Sequence, residues 1–130
     1  MSGGHGSFVA VVNCMDGRVQ ESVARFAKTR FSADYADTIT EPGPIRALAE
    51  DPDGGESLSI RRRLEISLLK HRAAGIVVAG HGDCAGNPQP REVQEAQLTR
   101  AAQTLHRWFP DVPVIRVWVR PEDWEVEELA

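Results

Sequence analysis

At 130 residues, with 42% apolar and 26% charged side chains, the chain is long enough for a substantial core and too apolar to be disordered. A formal charge of −4 and a pI near 5.5, without a basic stripe, argue against nucleic acid as a partner. No apolar run approaches a membrane span, and residues 1–7 lack the layout of an export signal, so one cytoplasmic domain over residues 1–130 is the expectation.

Phe8 to Val12 is a continuous apolar run, the pattern of a strand buried on both faces. Val19, Val23, Phe26 and Ala27 then recur at helical spacing and predict a helix from about Val19 to Thr29. Tyr35 to Thr40 reads as a more polar second strand, closed by Pro42-Gly43-Pro44, with Pro44 opening a short helix through Ala49. Asp51 to Gly55 is loop by composition. A helix is predicted from Ser57 to Ala74, with Ile60, Leu64 and Leu68 on one face and Gly75 as its stop. The run Arg61-Arg62-Arg63 falls within it, between Glu56 and Glu65, and reads as a solvated face. Ile76 to Ala79 is the third central strand. Beyond Pro88 and Pro90 a long helix reaches about Phe109, with Val93, Ala101, Leu105 and Trp108 inward. The last strand, Val114 to Val119, alternates like a half-exposed edge, and the acidic tail carrying Trp124 is either a frayed end or an arm for a second subunit. Strand and helix alternate, so the expected fold is three-layer α/β/α with a mostly parallel four-stranded sheet.

The chemistry collects in two turns. Asn13-Cys14-Met15-Asp16-Gly17-Arg18 follows the first strand, and His81-Gly82-Asp83-Cys84 follows the third. If those strands are neighbours, the strand order reverses between them, and Cys14, His81 and Cys84 meet at the switch point where open α/β sheets bind ligands. Two thiolates and an imidazole suit zinc, and three protein ligands leave the fourth position open, as in catalytic sites. Water there would have its pKa lowered by the metal, less so than in a three-histidine site, which favours activity on the alkaline side. Asp16 has two readings: fourth ligand, or partner of Arg18 that accepts a hydrogen bond from the bound hydroxide. A plainer role, capping the following helix, stays open. For the cysteines the alternatives are two buried thiols or a Cys14–Cys84 disulfide. His5, His71 and His106 are expected at the surface, and Asp83 to shape its turn.

These residues resemble the β-class carbonic anhydrases, which carry Cys-x-Asp-x-Arg after the first core strand and His-x-x-Cys after the third. Here they read Cys14-Met-Asp16-Gly-Arg18 and His81-Gly-Asp-Cys84. The resemblance, to a shortened and divergent member, implies a zinc ion held by Cys14, His81 and Cys84, with Asp16 and Arg18 gating the fourth position. It further implies a sheet ordered 2-1-3-4, a homodimer or larger assembly, and reversible hydration of carbon dioxide to bicarbonate. Where the family typically has Ala-Gly-Asn after its second strand, this chain has Glu41-Pro42-Gly43-Pro44. The alternatives are hydrolysis of another small electrophile, carbonyl sulfide or carbon disulfide, and a non-catalytic zinc scaffold or sensor with Asp16 in the fourth position.

Overall fold

The computed structural model describes residues 6–130, so His5 lies outside the described residues. The apolar run forms β1 (Phe8–Cys14), in which every residue from Val9 onward is buried. A 3₁₀ turn at Gly17–Val19 leads into α1 (Gln20–Phe31), and β2 (Tyr35–Glu41) follows. Next come α2 (Pro44–Glu50), with proline at its first position, α3 (Gly55–Glu65), β3 (Ile76–His81), α4 (Arg91–Trp108) and β4 (Val114–Val119). β1 pairs in parallel with β2 on one side, from Phe8 opposite Tyr35 to Cys14 opposite Glu41. On its other side it pairs in parallel with β3, from Ala10 opposite Ile76 to Val12 opposite Val78. The strand order therefore reverses between β1 and β3, and their carboxyl ends open side by side.

Strand alternation divides the core between the two faces. Ala10, Val12, Ile76 and Val78 pack against Ile45 and Leu48 of α2, Ile60 and Leu64 of α3, and Leu98 and Leu105 of α4. Val9, Val11, Val77, Ala79, Val117 and Val119 pack on the other face, against Val19, Val23 and Ala27. Burial on both faces explains why β1 and β3 read as unbroken apolar runs.

Three features differ from the sequence expectation. The sheet has five strands, not four: residues Val126–Glu128 of the acidic tail form β5, antiparallel to β4, giving the order 2-1-3-4-5. β4 is thus not an edge. Trp118, expected on a half-exposed face, is 3% exposed, and the Arg91 guanidinium stacks 5.3 Å from its ring. The tail is held by two clamps, Arg30 to Glu128 at 2.9 Å and Arg91 to Glu127 at 3.2 Å.

The long central helix does not run to Ala74. It widens into a π-helical turn at Ile66–Lys70 and stops at His71, whose amide donates to the Ile66 carbonyl at 3.3 Å. Side-chain pairing accompanies the change. Ser67 Oγ donates to Asp37 at 2.8 Å, and His71 Nδ1 meets the same carboxylate oxygen at 2.7 Å. In α4, Val93 is 37% exposed, and Gln94 and Gln97 take the inward positions with Leu98.

Candidate metal centre

The first turn is built by amides. Asn13, the polar residue next to last in β1, accepts from the Cys14 amide through Oδ1 at 2.9 Å and donates through Nδ2 to the Val19 carbonyl at 3.2 Å. Gln20 donates to the carbonyls of Cys14 and Asp16 at 2.7 and 2.9 Å. Asp16 both caps its turn and pairs with Arg18. Its Oδ1 caps the 3₁₀ turn, accepting from the Arg18 amide at 2.9 Å, and its carboxylate accepts from Arg18 Nε at 3.0 Å and Nη2 at 2.7 Å. The Arg18 side-chain contact is the largest influence on Asp16 and holds its carboxyl down at about 2.

The second turn hangs on α4. Gln94 accepts from the His81 amide at 3.2 Å and donates back to the His81 carbonyl at 2.8 Å. His81 Nδ1 lies 2.7 Å from the Gly82 carbonyl, which can only accept, so Nδ1 carries the proton. Nε2 is left with a free lone pair, buried and without a hydrogen-bond partner. Such an atom is costly unless a ligand satisfies it.

The two turns meet there. Cys14 Sγ and Cys84 Sγ are 3.8 Å apart, and the donor atoms of Cys14, His81 and Cys84 lie within 4.8 Å of one another. A tetrahedral zinc with sulfurs at about 2.3 Å would separate two thiolates by about 3.8 Å, so this donor set fits the ion. The Asp16 carboxylate stands outside that set. Burial pushes the Cys14 thiol up, but the His81 ring and the amides of Gly43 and Asp16 outweigh it and bring the thiol down to about 7. Burial and the adjacent Cys14 charge both raise Cys84. Burial opposes the charged imidazole of His81, yet the Cys14 thiolate and the Gly82 carbonyl prevail and raise its pKa.

The segment Glu41-Pro42-Gly43-Pro44 supports the centre. Gly43 has φ of 56°, and its amide donates to Cys14 Sγ at 3.4 Å. A Cβ on Gly43 would lie 2.6 Å from Asn87 Cβ, which is why glycine brings this turn against the Cys84 loop. Arg18 links the two halves from outside, with Nη1 on the Asp83 carboxylate and Nη2 on the Asp83 carbonyl, each at 3.2 Å. His71 and His106 are exposed, as expected. Asn13 in the first turn and Gly43 in the Pro-Gly-Pro stop carry no supporting role in the sequence reading, and Gln20 and Gln94 are not singled out there. Asn13 left a signal as a polar residue ending an apolar strand, and Gly43 as a glycine between two prolines.

A mostly parallel sheet ordered 2-1-3-4-5, with a Cys-His-Cys cluster at its switch point, defines the class of β-carbonic anhydrases. Residues 4–130 match the family described as "Putative carbonic anhydrase", and the chain belongs to that family. No curated protein matches it. Among solved structures the fold is similar to a carbonic anhydrase from Streptococcus mutans, with TM-score 0.66 and 19% identity over 94% of this chain and 81% of that one. It is also similar to a carbonic anhydrase from Glaciozyma antarctica, with TM-score 0.61 and 18% identity over 94% and 81%. A third likeness is to tetrameric β-carbonic anhydrases from Sordaria macrospora, with TM-score 0.50 and 13% identity over 95% and 80%. Among the described residues no helix is long and apolar enough to cross a membrane.

Proposed function

We propose that the chain is a zinc-dependent enzyme that reversibly hydrates carbon dioxide to bicarbonate. The observation that carries this reading is the orphaned Nε2 of His81, buried beside two sulfurs at the spacing zinc requires. Cys14, His81 and Cys84 would hold the ion, and both turns present them already folded. Bound there, zinc supplies Lewis-acid activation of water near neutral pH. Asp16 accepts a hydrogen bond from the attacking oxygen and fixes its orientation toward the carbon. It can do so as a carboxylate at any physiological pH, because Arg18 keeps it ionised. Arg18 also holds Asp16 away from the ligand set, which supports an open fourth position over a closed scaffold.

The same reading takes the protein as cytoplasmic, where reduced thiolates persist as metal ligands. It also takes it as a homodimer or larger assembly. β2 is the outer strand of the sheet, and Leu58, Ile66 and Leu69 are exposed apolar side chains on α3 and the turn that ends it.

The test is stopped-flow carbon dioxide hydration from pH 7 to 9 on protein of known zinc content. A zinc-dependent rate that rises with pH is expected, lost in Cys84→Ser together with the metal, and lost in Asp16→Asn with the metal retained. One zinc per chain with no rate above buffer would overturn the assignment.

A further inference from the structure

The tail does not fray. The segment between β4 and β5 folds back over the metal centre, and its one large aromatic residue lands on Arg18. The Arg18 guanidinium carbon sits 4.4 Å from the Trp124 ring centroid. Its edges are already engaged, by Asp16 through Nε and Nη2 and by Asp83 through Nη1 and Nη2. The ring therefore covers one of the two faces that these in-plane hydrogen bonds leave for packing.

The placement of Trp124 is built. Its φ is 58°, a left-handed conformation that a bulky residue adopts only when its surroundings enforce it. Here the Trp124 amide donates to the Arg120 carbonyl at 2.7 Å, and the Arg120 amide donates to the Glu125 carbonyl at 3.0 Å. Arg120 pairs with Asp123 at 2.7 Å, and Asp123 accepts from the Glu125 amide at 3.0 Å. The same turn rests on the histidine side of the site. Pro121 packs so closely on Gly82 that no Cβ would fit there, and the Gly82 amide donates to the Val119 carbonyl at 3.2 Å.

We infer that Trp124 is a positioning residue, and that the β4–β5 turn is a clamp that locks Arg18, and through it Asp16, in place over the metal centre. The role of the clamp in turnover rests on the functional reading above; its action on Arg18 does not. Without the ring, Arg18 can leave the bidentate arrangement for solvent, since its side chain is 44% exposed. Of the zinc ligands, Cys14 lies on β1, His81 on β3, and Cys84 on the loop that follows β3.

The test uses Trp124→Asn, which removes the ring while suiting the left-handed backbone, and Trp124→Phe, which keeps an aromatic face. The Arg18 Nε–H resonance, assigned with Arg18→Lys, reads the clamp directly. In Trp124→Asn it should lose its ring-current shift and exchange faster with solvent, with zinc content unchanged. For carbon dioxide hydration, kcat should fall about two- to fivefold with KM unchanged, the range expected of a half-exposed cation–π contact. Trp124→Phe should restore both readouts. An unchanged Arg18 resonance in Trp124→Asn would overturn the clamp, as would loss of zinc in both variants alike. An inactive wild type with full zinc would instead overturn the functional reading, leaving the Arg18 resonance to decide the clamp.

Discussion

Zinc binding should release more than one proton per chain at pH 7, and the count follows from the three donors. All must be deprotonated on the nitrogen or sulfur that binds. Cys84 is raised above its ordinary value by burial and by Cys14, so it enters as a thiol and gives up about one proton. Cys14 sits at about 7 and gives up about half. His81, raised chiefly by its contact with the Cys14 thiolate, shifts the count in the same direction. The sign is fixed: the free site holds more protons than the loaded one, so affinity rises with pH. By pH 9, Cys14 is already deprotonated, and the release should drop toward the single proton of Cys84. Calorimetric titration of zinc into the metal-free protein, in buffers of different ionisation enthalpy, measures the count directly. Release well below one proton at pH 7, or a count that does not fall by pH 9, would refute the pairing of a lowered Cys14 with a raised Cys84.

Cys84→Ser should weaken zinc binding by at least about a hundredfold, measured by competition with a chelator, because a ligand costs more than the supporting residues around it. Asp16→Asn should lower stability at neutral pH, by an amount that shrinks as pH falls toward 2. The carboxyl at about 2 contributes stability that is complete above about pH 4 and lost as pH falls toward 2, and urea titrations across that range should show the loss only in the wild type. Gln94→Ala strands the buried amide and carbonyl of His81, and should cost about 1–3 kcal/mol in chemical denaturation and about tenfold in zinc affinity. Gly43→Ala meets Asn87 in a left-handed conformation and should cost more than about 1 kcal/mol in thermal unfolding.

Much of this was legible in the residues. β1 and β3 announced themselves because parallel strands buried on both faces have no polar alternation to confuse the reading. The two turns were legible because cysteine, histidine and aspartate at strand ends have few other uses. β5 was not legible. Val126-Glu127-Glu128 is short and acidic, and its pairing with β4 is secured by Arg30 and Arg91 from distant helices. For the same reason Arg116-Trp118-Arg120 looked like a solvent face: its cover comes from elsewhere in the chain. Nor was the π turn after α3 visible, since periodicity carries straight through Leu64 and Leu68. What departs from it are the partners of Ser67 and His71 on β2. Asp16 was underdetermined for another reason. Helix-capping and ion-pairing aspartates look alike in sequence, and here one carboxylate does both.

The central claim is that two strand-end turns bring three protein donors to one zinc and leave its fourth position to solvent. X-ray absorption at the zinc edge of the loaded protein, at pH 7 and pH 9, tests it most directly. The account predicts two sulfurs at about 2.3 Å and one histidine nitrogen at about 2.0 Å, with one further light ligand that is lost from the zinc sphere neither on raising pH nor in Asp16→Asn. A fourth ligand that disappears in Asp16→Asn would contradict it, as would a site with fewer than two sulfurs.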